Sequence, residues 1–190
     1  LRSEDAESLL AASGGSADYA EINPYAFVPA MAPHLAARET GIEIRLEKIL
    51  DNFQHLRQKA PWLVVEGVGG WEVPLGEHLT MAEVARAMRL PVILVVGLRL
   101  GCLNHALLTA SAIQREGVPL AGWIANQIDP AMTHVDQNIA ALNERIEAPL
   151  LARFPYQSPG HHGAPGPNFP RETIMHLTSN SYLKTNERSE

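Results

Sequence analysis

Two carboxylates and two glycine-punctuated turns are the parts of this chain best suited to chemistry. Glu66 ends a short apolar run, Trp62-Leu63-Val64-Val65, and is followed at once by Gly67-Val68-Gly69-Gly70. A carboxylate at the end of an aliphatic strand can hold magnesium, a hard cation that prefers carboxylate, water and phosphate oxygens. Glycines behind it let backbone come close to a ligand. The same residues also read as a loop-facing glutamate with turn glycines. Asp5 sits in the first turn of a helical pattern. An aspartate there ordinarily just complements the helix dipole, so it needs outside support as a metal ligand.

The second turn is Gly97-Leu98-Arg99-Leu100-Gly101-Cys102-Leu103-Asn104-His105, between an aliphatic run and a helical pattern. Backbone N–H groups at such a helix start make an anion site for a carboxylate or phosphate. The bland alternative is a plain turn in which Asn104 satisfies the helix start. Cys102 reads as a small buried filler rather than a nucleophile, since no histidine or carboxylate partner can be assigned to it. Asn126 carries donors and an acceptor that could read a purine edge, or is simply a loop asparagine. His161-His162 and the other six histidines lack zinc spacing, and no cysteine cluster supports them, so they read as surface or packing residues.

Several elements must position these residues. Residues 3 to 13 read as a helix, with Ser3 as N-cap and Gly14-Gly15 as the stop. A Pro-rich loop runs from Asn23-Pro24 to Pro33-His34, and apolar spacing from Ile44 to Leu56 predicts an amphipathic helix. Trp62 to Glu66 reads as a first buried strand. Thr80 and Glu83 form a capping box for a helix to about Arg89. Leu90–Val96, Leu120–Ala125 and Leu150–Phe154 read as three more strands, separated by helices from Cys102 to Gly117 and near 134 to 147. Residues 157–170 read as a Pro/Gly-rich surface loop, followed by a short helix near 171 to 183 and a polar tail.

Strand and helix alternate without a hairpin signal, which predicts an open, mainly parallel α/β sheet flanked by helices in a single domain over residues 1–190. Ligands of such sheets bind beyond the carboxyl ends of the strands. Glu66, the Gly97–Asn104 turn, Asn126-Gln127 and Pro155-Tyr156-Gln157 follow the four expected strands. All four ends could face one cleft.

The totals restrict the classes of function. A net charge of −6 argues against a nucleic-acid backbone binder. No apolar run reaches the roughly 18 residues of a membrane helix, and the start lacks the features of a secretory signal. One cysteine excludes an internal disulfide and suits a reducing compartment, with the cytoplasm as the default. The chain begins with Leu1 and runs straight into a helix carrying a candidate carboxylate. We therefore expect further chain upstream.

The sequence resembles dethiobiotin synthetase over nearly its whole length. The resemblance rests on Val64-Val65-Glu66-Gly67-Val68-Gly69-Gly70-Trp71 with Val73-Pro74-Leu75, and on Leu90 to Gly97 continuing through Leu100 to Ala106. Leu120 to Asn126, Asn23-Pro24-Tyr25 and Ala32-Pro33-His34 add to it. It implies ATP- and Mg-dependent ring closure of 7,8-diaminononanoate with CO2 to dethiobiotin, a step of biotin synthesis. It also implies that Asp5 and Glu66 are magnesium carboxylates, and that Gly67-Val68-Gly69 contacts the nucleotide. Asn126 would read adenine, with Gln127, Pro155, Tyr156 and Gln157 beside it. Gly101-Cys102-Leu103-Asn104 would cradle the substrate carboxylate across a homodimer interface.

The sequence departs from the family's pattern in its phosphate-binding parts. The family's P-loop, G-x-x-x-x-G-K-[ST], is missing, as is the lysine of a K-P-V segment. The three lysines, Lys48, Lys59 and Lys184, stand elsewhere and cannot replace them. No catalytic residue of that kind is therefore assigned. We expect truncation of one βα unit and a following strand, upwards of ~30 residues, and no turnover by this chain alone. Two other readings stay open: a non-catalytic homologue that keeps the dimer and the carboxylate turn, and another P-loop synthetase of the cobyrinate type.

Overall fold

The computed structural model describes residues 2–14, 17–28 and 31–158. The expected Pro/Gly-rich loop beyond Ser158, His161-His162, the helix near 171 to 183 and Lys184 lie outside the described residues. The chain divides into two compact units, Leu1–Arg89 and Leu90–Glu190.

The first unit is helical among its described residues: α1 Glu4–Ala12, α2 Tyr19–Ile22, α3 Pro33–Thr40, α4 Leu46–Lys59 and α5 Met81–Met88. Ser3 caps α1 as expected, its Oγ accepting from Ala6 N at 3.4 Å. Thr80 caps α5, with Glu83 Oε2 accepting from Thr80 N at 2.7 Å to close the box. Both α2 and α3 lie in stretches that the sequence left outside its helices. Pro33 at the first position of α3 and Gly41 at φ 68° after it are the ordinary start and stop signals of a helix. Ala36, Ala37, Ile44, Phe53, Leu75, Ala82, Val84 and Met88 are buried in this unit, many of them small.

The expected first strand is not there. Trp62 to Glu66 runs as chain without a ladder partner among the described residues. Trp62 is 58% and Val64 87% exposed. A strand is made by its neighbours' carbonyls and amides, and an apolar run cannot supply those itself. Periodicity alone therefore overstated this segment.

The second unit holds a three-stranded parallel sheet, β1 Val92–Leu98, β2 Leu120–Gln127 and β3 Leu150–Phe154, in the order β1-β2-β3. Parallel neighbours need crossovers, here α6 Cys102–Arg115 and α7 Val135–Asn143. Val96, Leu98, Trp123 and Ala125 from one sheet face pack with Cys102, Ala106 and Ala110 of α6 and with Ile139 and Leu142 of α7. Trp123, Leu98, Ile113 and Leu142 are the largest fully buried side chains. Gly122 lets β3 lie close, because a Cβ there would meet Leu151 Cγ at 2.5 Å. The opposite face is less covered along β1, where Ile93 and Val95 are exposed.

Candidate functional site

The sheet register brings three of the predicted site segments to one edge. Gly97 pairs with Asn126 and Asn126 with Phe154, so the carboxyl ends of β1, β2 and β3 are level. Beyond those ends come the Gly101 turn, Gln127, and Pro155-Tyr156-Gln157. In open parallel sheets this edge is where ligands bind.

β1 ends at Leu98, and Gly101 caps α6 with φ 93°, a left-handed conformation that a side chain rarely adopts. Cys102 N–H donates to Arg99 O at 3.0 Å. The first-turn amides of Leu103 and Asn104 precede any helical acceptor and point out of the helix start. Cys102 itself is 4% exposed and packs in the core. Its thiol is a filler, so any ligand contact at this position belongs to backbone. Asn104 is exposed.

Adjacent residues of β2 face opposite ways. Ala125 and Gln127 line a cavity of about 140 Å³ together with Leu98, Val135, Arg153 and Pro155. Strand alternation places Asn126 on the other sheet face, beside Gly97. Asn126 is half-buried, and its amide has no hydrogen-bond partner among the described residues. Gln127 Nε2 donates to Asp129 O at 3.3 Å, while Tyr156 is 36% exposed. Arg153, at the cavity wall, pairs with Asp136 of α7.

The other candidates belong to the first unit. Asp5 is exposed in the first turn of α1, beside Glu4 and Glu7. Glu66 is exposed at the head of a loop in which Gly69 and Gly70 adopt φ 72° and 129°. A Cβ at Gly69 would meet Val73 Cγ2 at 2.9 Å, so glycine is required there on two counts. Gly70 N–H donates to Val68 O at 2.9 Å, and Met81 N–H to Val73 O at 3.0 Å, which ties the loop to the start of α5. Neither the Asp5 nor the Glu66 carboxylate makes a hydrogen bond or ion pair to any described residue. Two unpaired carboxylates are hard oxygen donors of the kind magnesium takes, with waters and phosphates completing its shell. No group of three or more His, Cys, Asp or Glu gathers among the described residues. A groove in this unit, lined by residues that include Arg38, Ile42, Arg45 and Glu77, contains none of the predicted site residues.

The polar tethers of this unit leave no pattern in the sequence that marks them as such. Lys59 Nζ lies 2.8 Å from Glu21 Oε2, and His55 Nε2 lies 2.9 Å from Glu21 Oε1. The Lys59 ammonium, bonded to Glu21, holds its carboxyl below the ordinary glutamate range, with the Asp18 backbone amide adding to the effect. Lys48 stands 4.8 Å from the centre of the Tyr25 ring. Both described lysines are therefore structural. The spacing Asp18-x-x-Glu21 was the available signal for α2, since Glu21 Oε2 accepts from Asp18 N at 3.1 Å.

A family model described as an AAA domain matches residues 1–160. With the parallel sheet and its glycine turns, this defines an α/β domain of the P-loop nucleotide-handling class. The curated relatives narrow the class. The chain is 49% identical over 163 residues to the ATP-dependent dethiobiotin synthetase BioD of Xanthomonas axonopodis pv. citri, covering 86% of this chain and 72% of that one. It is 52% identical over 153 residues to the protein of that name from Aromatoleum aromaticum, at 80% and 68% coverage. For Pseudomonas paraeruginosa the figures are 49% over 156 residues, at 82% and 68%. The chain belongs to the ATP-dependent dethiobiotin synthetase family, whose members are ligases. Among the described residues no helix is long and apolar enough to cross a membrane.

Proposed function

We propose that this protein closes the ureido ring of dethiobiotin, joining 7,8-diaminononanoate and carbon dioxide with ATP and magnesium in the biotin pathway of the cytoplasm. The observation that carries this reading is the state of three side chains: Asp5, Glu66 and Asn126 have no partner among the described residues. Polar groups kept unpaired at a strand end or beside a glycine loop are available to a ligand. Asp5 and Glu66 would hold the magnesium, which when bound neutralises charge on the transferring phosphoryl group. The backbone of Gly67-Val68-Gly69 gives the nucleotide close approach. Asn126 reads the base edge, with Gln127, Pro155, Tyr156 and Gln157 at its sides.

The Gly101-Cys102-Leu103-Asn104 turn holds the substrate carboxylate, through the amides of Leu103 and Asn104 above all, and so places the far diamine for attack. Leu100, 96% exposed, and Leu108, 61% exposed, leave apolar surface beside that turn. We propose that a second copy covers it in a homodimer, with the whole chain acting as one α/β domain. The test is Glu66→Gln in the full-length protein, which keeps size and removes charge. Turnover should fall roughly a hundredfold or more, since a metal contact contributes several kcal/mol and ~1.4 kcal/mol is tenfold. Circular dichroism and melting should stay as in the wild type, because Glu66 is exposed and unpaired. Activity within twofold of the wild type would remove Glu66 from the metal site.

A further inference from the structure

Little apolar packing fixes α1, since of its nine residues only Ala6 is buried. Its own cap is long, Ala6 N to Ser3 Oγ measuring 3.4 Å. The firmest contact at its start comes from another helix. Tyr19 Oη accepts from the Ser3 backbone N–H at 2.7 Å and from Asn23 Nδ2 at 3.1 Å. Ser3 is the N-cap of α1 and Asn23 the C-cap of α2, so one oxygen joins two helix ends. The Arg2 guanidinium lies 5.0 Å from the centre of the same ring, close enough for a cation–π contact.

α2 is in turn fixed on α4. Asn52 Nδ2 donates to Ala20 O at 2.9 Å and to Glu21 O at 3.0 Å. Lys59 and His55 of α4 hold the Glu21 carboxylate. Support therefore runs from the 14-residue α4 through α2 to the first turn of α1. The same device sets the start of α4: the Arg45 N–H, at an N-cap without a side-chain bond, donates to Tyr25 Oη at 3.0 Å. Asp5 stands two positions after Ser3. A shift of that turn moves its carboxylate bodily.

We propose that Tyr19 is a positioning residue, its hydroxyl fixing the start of α1 and thereby aiming the Asp5 carboxylate at the metal. This rests on the reading of Asp5 as a magnesium ligand. Groups that orient a ligand typically change metal affinity by about 10–100-fold when removed. Tyr19→Phe keeps the ring and its stack on Arg2 and deletes only the oxygen. In the full-length protein we expect Mn2+ binding, read by electron paramagnetic resonance, to weaken about tenfold. Amide hydrogen exchange over α1 should quicken in the metal-free protein, with that of β2 unchanged.

Asp5→Asn, measured alongside, should weaken Mn2+ at least as much. If Asp5→Asn weakens Mn2+ and Tyr19→Phe does not, the positioning role is overturned and the Asp5 reading stands. If Asp5→Asn binds Mn2+ as the wild type does, the Asp5 reading fails and takes this inference with it. A Tyr19→Phe protein that melts earlier but keeps its Mn2+ affinity shows a merely structural tyrosine, and this also overturns the proposal. Asn23→Ala removes the other bond to the same hydroxyl and provides the same test should Tyr19→Phe fail to fold. Its expected loss is smaller.

Discussion

Each of the two units is held together internally by its own kind of force. In the second unit, parallel ladders and one apolar core do the work, with Trp123, Leu98, Ile113 and Leu142 fully buried. In the first, helices with small buried faces are fastened by polar bonds that span many residues: Tyr19 to Ser3, Tyr25 to Arg45, Asn52 to the end of α2, and Glu21 to Lys59 and His55. Burial is non-directional and tolerant of salt and pH. Side-chain tethers are directional, and those that carry charge answer to both. The proposed carboxylate ligands stand on the tethered unit, and the level strand ends stand on the packed one.

Substitutions can break or sharpen that contrast. The largest effect should come from Leu142→Ala, which removes a fully buried side chain from the sheet-and-helix core. A loss of about 2–5 kcal/mol is expected from transfer and cavity terms together, seen as a lower urea midpoint. A loss under about 1 kcal/mol would mean that the core of this unit is loose, and the contrast would weaken. Gly122→Ala comes next. Its Cβ would meet Leu151 Cγ, Cδ1 and Cδ2 at 2.5, 2.6 and 2.7 Å. Overpacking of this kind costs about 1–3 kcal/mol, and in a Leu151→Ala background the same glycine change should cost less.

The smallest effect is the most diagnostic, because only the tethered unit should show it. The Glu21 carboxyl is held below its ordinary range by the Lys59 bond. A carboxylate lowered in the folded state contributes stability above its unfolded pKa and loses it as pH falls through the folded value. The wild type should therefore exceed Glu21→Gln in stability at neutral pH, and the gap should close on acidification below the ordinary glutamate range. Raised salt should shrink the gap at neutral pH as well. Denaturant melts of both proteins at neutral and acid pH, at two salt concentrations, measure it. No gap at neutral pH would show that Glu21 acts through its backbone carbonyl, which glutamine keeps, and not through its charge.

Sequence patterns reached the second unit more fully than the first. Aliphatic runs bounded by glycine and proline gave β1, β2 and β3 to within about two residues at each end, which is the usual uncertainty of such boundaries. Capping residues gave α1 and α5, where Ser3 and Thr80 bond to the amides expected of them. Trp62 to Glu66 had the same look as the true strands and is not one among the described residues. The four-residue α2 and the start of α3 are hard to see in the sequence, because proline and glycine around them outweigh a local Asp18-x-x-Glu21 and a Pro33 at a helix start.

The sequence by itself determined the helix caps, the alternation of strand and helix in the second half, and the residue types that could meet a metal, a base or a carboxylate. These depend on neighbours a few positions away, and local physics suffices for them. Only the tertiary structure decided the rest. It set Asn126 and Gln127 on opposite sheet faces and buried the Cys102 thiol. It also gave the start of α1 to a tyrosine 16 positions along the chain. Register, burial and long-range hydrogen bonds depend on what another part of the chain brings, and no reading of one segment contains that.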